Sequence, residues 1–324
     1  MESLIHSIQQ LVAIPALLIN QITVIPEFIR EALIQAITFV PWLYFLYYGI
    51  ELLERFFLKN IGIFIKLSKK LGPLFGATIS IVPECGYQVL ASTFYSRKLM
   101  TRGTLLAFYI SCTDDALPLL LMDLSKALVI IPIVIIKVVA AVIVGFLVDL
   151  MFVTRQRIED TNAVNIDINE PGCCHHKLMT VEHPPYWWTH PMLHTFNVFM
   201  FTLFVLIFIN CAIMSLGGAQ AVASALMIDS PIQVVCGAIF GLIPNSITSI
   251  FLAIAYVKGV ISFPTLVAGL TSATGIGLYA LMKYNKKNAD NSFIMTILLL
   301  SAIAVGLIIH FNMQIVSTIQ GLVH

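Results

Sequence analysis

The sequence predicts an all-α polytopic membrane protein: two inverted repeats of five hydrophobic segments each, with a broken or re-entrant helix hairpin in each half. Three observations predict it. Of 324 residues, 59% are apolar and only 11% charged, with mean hydropathy +0.93, against about 25% charged in a soluble domain. The apolar residues run in blocks of about twenty, enough for a helix to cross hydrocarbon, not in the roughly ten-residue alternating segments of a membrane barrel. The blocks also recur at a spacing of 161 residues.

In chain order, residues 1–30 read as an N-terminal amphipathic segment, lacking the basic stretch and small-residue cleavage site of a signal peptide. A first repeat, 31–152, holds segments Glu31–Arg55, Leu71–Val82, Gly86–Tyr95, Thr104–Leu121 and Ala127–Met151. A polar Cys/His-containing loop, 153–191, leads to a second repeat, 192–314, and a tail, 315–324. The second repeat holds Met192–Leu216, Pro231–Ile243, Ile247–Tyr256, Thr265–Met282 and Ser292–Met313. Without any gap, positions 76–121 meet 237–282 with eleven identities in 46 positions, among them Gly76, Pro83, Thr104, Ser111 and Thr113; Ala141, Val144 and Gly145 continue the register. Self-similarity of this kind signals a duplicated unit.

Each half carries a pair of short segments interrupted at proline, GATISIVPECGYQVLASTFY and GAIFGLIPNSITSIFLAIAY. One such break is an ordinary kink; a pair in register points to a transporter's central binding site. If each pair is a hairpin that enters and leaves on one side, each half has three crossings and the second half is inverted. Fourteen Lys and Arg then lie on one side and three on the other, with Lys137 inside the membrane; full crossings would give nine against eight. The positive-inside bias favours the hairpins. It puts both termini outside a cell membrane and the central loop in the cytoplasm, with Trp187 and Trp188 as an interfacial anchor.

Ionisable groups in hydrocarbon are costly and as a rule face a cavity or a partner. Few are present: Glu84 and Cys85 in VPECG; Cys112, Thr113, Asp114 and Asp115 in SCTDDALP; and Lys137 in IPIVIIKVVAA. A helix broken at membrane depth frees backbone carbonyls, and beside carboxylates these make a cation site. Carboxylates suit ions such as Mn²⁺ and thiols favour softer ones, so the ion stays open. The matching positions of the second half are Asn245, Ser246, Thr274, Gly275 and Ile276. Charge is therefore confined to the first half, and Asn245, Ser246, Thr248 and Thr274 are expected as neutral ligands, or as plain interhelical hydrogen-bonders. Lys137 and Asp114 lie at similar depth at about 1.5 Å per residue from the turn between them. A coupling role follows for Lys137, neutralising Asp114 or Asp115 until a cation or proton displaces it; a permanent ion pair and snorkelling are the alternatives. Asp149 and His310 are equivalent positions near segment ends, and neither is assigned a role.

The loop motif Cys173, Cys174, His175 and His176, followed by His183, His190 and His194, offers metal-ligand types without zinc-finger spacing. It reads either as a metal-capture loop or as a polar linker.

The stretches VPECGYQVLASTFYSRKLMTRGTLLAFYISCTDDALPLLL and GLIPNSITSIFLAIAYVKGVISFPTLVAGLTSATGIGLYAL, with the Cys/His loop between them, resemble the ten-helix (10TM) heavy-metal exporter family. Its members are labelled arsenic efflux protein or manganese transporter. The resemblance implies ten membrane helices and efflux of a metal or metalloid, and PECG and SCTDDALP carry most of it.

The expected function is a secondary active exporter of a divalent heavy-metal cation, proton-coupled, since no ATP-binding motif is present. Efflux of arsenite, an organoarsenical or another anion is the alternative, weakened by Glu84 beside the site, and a passive ion channel is a further one. An enzyme is not expected: adjacent aspartates on a helix point about 100° apart, and no HExxH or GxSxG is present. Beyond the transported ion no cofactor is expected. The partners are the substrate and the lipid bilayer, with self-association into a homo-oligomer left open. Nucleic acid is excluded by the net charge of +1 and the absence of a basic run.

Overall fold

A helix satisfies its own backbone inside hydrocarbon, and the chain adopts it throughout the residues that the computed structural model describes: 25–58, 71–82, 85–113, 115–121, 127–152, 186–228 and 230–312. Among these, all regular structure is helical. In the first half α1 spans Glu27–Leu58, α2 residues 71–79, α3 Cys85–Ser96, α4 Arg102–Ser111, α5 Ala116–Leu121 and α6 Ile130–Met151. In the second, α7 spans Tyr186–Leu216, α8 Ala219–Ala225, α9 Pro231–Gly241 and α10 Ser246–Val257. Then come α11, Phe263–Ser272, α12, Gly277–Tyr284, and α13, Asn288–Phe311.

The 161-residue spacing carries into three dimensions. Shifted by it, α3 falls end to end on α10 and α4 on α11. The same contacts recur: Ser111 donates to the Ala77 carbonyl at 2.6 Å and Ser272 to the Ala238 carbonyl at 2.7 Å. The hydroxyls of Thr101 and Thr104 pair at 2.7 Å, and those of Ser262 and Thr265 at 2.9 Å. Gly145 lies against Ala107 as Gly306 lies against Ala268.

Within a half, Gly72 and Gly76 lie against Thr104 and Ala77 against Ser111, so α2 runs alongside α4 in the same direction. α3 runs back along α4, its start reaching Cys112 through Gln88 while its end turns directly into Thr101. Across the halves α12 packs on α3 and, reciprocally, α5 packs on α10, while α1 packs on its own equivalent α7.

Among the described residues five helical stretches are long and apolar enough to cross a membrane: Glu27–Leu52, Ile130–Met151, Pro191–Leu216, Phe263–Tyr284 and Asn288–Phe311. Four of them are 22–33% buried and turn Phe45, Leu150, Phe204 and Phe311 outward, whereas the stretch across α11 and α12 is 83% buried. Among the described residues the broken stretch is thus interior, and the four continuous helices carry exposed apolar side chains.

Two expectations are corrected. Thr104–Leu121 and Thr265–Met282 are not continuous segments: α4 ends at Ser111 before α5 begins at Ala116, and α11 ends at Ser272 before α12 begins at Gly277. The backbone swings out at Cys112 (φ −57°, ψ 132°) and Ala273 (φ −72°, ψ 107°), and Gly275 takes φ +46°, where a side chain would be strained. Hydropathy cannot separate two apolar helices in line from one, and neither interruption contains proline. The long helices also run past their expected starts, α7 from Tyr186 with Pro191 inside it and α1 with Pro41 inside. His190 and His194 are therefore helical and not part of the loop.

Candidate functional site

The site is built at the two interruptions. A helix that stops leaves its last carbonyls without intrahelical partners, and the stopped ends of α4 and α11 share one donor. Lys137, on α6 and completely buried, donates from Nζ to the carbonyl of Cys112 and to that of Leu270. Its ammonium thus lies against the negative ends of two helices, one from each half, where a positive charge is favoured. The equivalent position in the second half is Leu298, so this cation has no twin.

Around it, Gln88 of α3 donates from Nε2 to Sγ of Cys112 at 2.6 Å. Tyr109 and Ser92 both donate to the carbonyl of Gly277, at 3.0 and 2.8 Å, fixing the start of α12. A Cβ on Gly277 would come within 2.8 Å of Cβ of Gln88, so only glycine lets α12 approach α3 this closely. Thr113 donates to the Ile81 carbonyl at 3.0 Å, tying the interruption of α4–α5 to the end of α2. Three buried polar atoms nearby, Ser80 Oγ, Gln88 Oε1 and Thr274 Oγ1, have no hydrogen-bond partner among the described residues. Each such burial costs about 1–3 kcal/mol unless a ligand or water completes it.

Asp115 is buried on the far side of the interruption. Its Oδ1 accepts from the Tyr47 hydroxyl at 2.8 Å and lies 3.4 Å from Nε2 of His194, while the two rings meet edge to face at 4.3 Å. Tyr47 comes from α1 and His194 from α7. Among the described residues no three His, Cys, Asp or Glu side chains form a metal cluster.

Other expected residues have local duties. Asn245 caps α10, its Oδ1 accepting from the Ile247 amide at 3.1 Å, and Thr248 donates to the Asn245 carbonyl at 2.7 Å. The Ser246 carbonyl accepts from Ser249 at 2.8 Å, and Thr274 is fully buried at the second interruption. Asp149 braces the start of α4, accepting from the Gly103 amide at 2.8 Å and the Thr101 hydroxyl at 2.7 Å. Glu84, Asp114 and the loop residues Cys173, Cys174, His175 and His176 lie outside the described residues; Cys85 opens α3. Sequence reading missed Gln88, Tyr47 and the position of His194. Gln88, beside the PECG motif, was detectable as an amide in an apolar segment, whereas nothing local marks Tyr47.

A second polar centre links the halves at one end. Arg102 of α4 meets Asp290 of α13 at 2.6 Å, with Tyr95 donating to the same carboxylate at 2.6 Å and Asn285 at 2.8 Å; Phe293 lies under the guanidinium at 5.7 Å. At the turn after α10, outside the candidate spans, burial pushes the Lys258 ammonium below the usual lysine range and Glu31 opposes the shift.

Against known families, residues 20–195 match the family described as "Putative, 10TM heavy-metal exporter". The chain belongs to that family. The match spans the first half and the loop, and so takes in both acidic motifs and His194. No curated protein and no solved structure matches the chain. Family and helices together make this a multi-pass membrane protein of a transporter family rather than an enzyme family.

Proposed function

We propose that this protein is a secondary active transporter that exports a divalent heavy-metal cation in exchange for protons, through two inverted repeats whose broken elements meet at a central site. The observation that carries this reading is the single ammonium of Lys137 bonded to backbone carbonyls at the interruptions of both halves. Freed carbonyls at membrane depth form cation sites in transporters, and here a resident cation occupies them. α2 and α3 are read as a re-entrant hairpin, as are α9 and α10. This reading is supported by their opposed directions along α4 and by the charge count that favours three crossings per half. Both termini then lie outside and the segment between α6 and α7 in the cytoplasm.

In this mechanism Glu84, Asp114 and Asp115 supply charge for the substrate, with Cys85, Cys112 and Thr113 beside them. The second half contributes neutral oxygens from Asn245, Ser246, Thr248 and Thr274. Lys137 balances the acidic groups until cation or protons take its place, which couples the two fluxes. Cys173, Cys174, His175 and His176 capture the ion from the cytoplasm.

The test is flux in vesicles reconstituted with the full chain, comparing Mn²⁺, Zn²⁺ and arsenite across a pH gradient. Saturable flux of a divalent ion with opposed proton movement is expected. Arsenite flux alone would replace the reading with metalloid efflux, and flux without proton movement would replace it with a channel. Glu84→Gln and Asp114→Asn are expected to abolish flux with membrane insertion intact; normal flux in both removes the site. Deletion of Cys173–His176 is expected to raise the half-saturating concentration more than it lowers the maximal rate, and a fall in rate alone rejects the capture role.

A further inference from the structure

We infer that His194 is a nitrogen ligand of the transported ion, paired with Asp115, and that it sets the preference for borderline ions such as Zn²⁺ over harder ones such as Mn²⁺; this rests on the proposed function and names a selectivity residue within it. Three observations support it. The first is geometric. Nε2 of His194 and Oδ1 of Asp115 are 3.4 Å apart; two ligands at that separation, each about 2.1 Å from one ion, subtend about 108° at it, the angle of tetrahedral zinc. Imidazole nitrogen beside carboxylate oxygen is a donor pair that favours zinc-like ions more than all-oxygen sets do.

The second is the support around the pair. The Tyr47 hydroxyl donates to the same Asp115 oxygen at 2.8 Å, and the Tyr47 ring sets the plane of the imidazole edge to face. One residue from α1 thus orients both donors, the function of an outer shell at a metal centre. The third is asymmetry. At the equivalent positions of the repeat Tyr47, Asp115 and His194 become Phe208, Ile276 and Leu33. The buried polar trio therefore belongs to one half alone, and buried polar groups kept at a cost in a membrane mark a function.

The ion reaches the pair with the imidazole neutral and Nε2 as the donor, so no covalent chemistry is involved. The test uses the full-length protein purified in detergent. Co²⁺ is followed by the visible absorption of tetrahedral Co²⁺, and Zn²⁺ and Mn²⁺ are ranked by displacement, for the wild type, His194→Gln and Tyr47→Phe. Glutamine keeps a hydrogen-bonding amide toward Asp115 but removes the imidazole nitrogen. The expected result for His194→Gln is loss of the tetrahedral band, at least about a tenfold fall in Zn²⁺ affinity and a much smaller fall for Mn²⁺, so that the order narrows or inverts. Tyr47→Phe should weaken both ions less and keep their order.

Unchanged affinities and order in His194→Gln overturn the inference alone and leave the proposed function standing. An equal fall for both ions, or an equal effect of Tyr47→Phe on zinc, also overturns it, because His194 then acts only by holding Asp115. A wild type that binds neither ion overturns both readings.

Discussion

Lys137 is completely buried, and a composition-based reading pairs it with a carboxylate of SCTDDALP. Among the described residues its ammonium donates to the carbonyls of Cys112 and Leu270, and Asp114 lies outside them. Carbonyls were not legible as partners because they become available only where a helix stops, and the stops themselves were hidden inside apolar stretches. Lys137→Met would leave two carbonyls unsatisfied, at about 1–3 kcal/mol each. A lower unfolding midpoint in detergent is therefore expected together with lost transport. A midpoint at or above the wild type would mean that the ammonium is held at a net cost to the fold and kept for coupling alone. His194 shows the same limit: the sequence shows a histidine, but its neighbours Tyr47 and Asp115 come from remote positions.

At the scale of the element, α4 and α6 cross at two glycines. A Cβ at Gly103 would fall 2.0 Å from the Gly145 carbonyl oxygen and 2.5 Å from the carboxyl carbon of Asp149. Backbone on one side and a capping carboxylate on the other leave nothing that can yield. Gly103→Ala is expected to cost at least about 1–3 kcal/mol, seen as a lost or broadened monodisperse peak in size-exclusion chromatography; an unaltered peak and midpoint would contradict the crossing. Gly49 is the internal control, a glycine inside α1 with nothing within 4 Å of its ideal Cβ. Gly49→Ala is expected to be neutral or to stabilise by up to about 1 kcal/mol on the same assay. The crossing was legible as the shared Gly145 and Gly306 of the two halves, but the partner glycine was not, because position 264, equivalent to 103, is a proline.

At the scale of the molecule, the halves are joined by exchange of α5 and α12 and by the Arg102–Asp290 pair with its tyrosine and asparagine. The pair links residues 188 apart in sequence, so no local signal announces it. Removing one partner of a largely buried ion pair strands the other. Arg102→Ala is expected to cost roughly 3 kcal/mol, less where solvent reaches the guanidinium. A double-mutant cycle with Asp290→Asn should show the two losses to be non-additive. Additive losses would reduce the contact to two independent surface effects.

Chain composition alone determined that the protein is a helical membrane protein, because hydrocarbon tolerates only backbone that bonds to itself and the run lengths are set by bilayer thickness. The 161-residue spacing was readable along the chain as well, whereas the stops of α4 and α11 inside their apolar stretches were not. Only tertiary structure decided which breaks meet, that Lys137 bridges them, and that Tyr47 and His194 of two helices gather at Asp115 in the break before α5. Hydropathy is a property of position along the chain, whereas a site is made of groups brought together from remote positions, and their distances exist only after the two halves have interlocked.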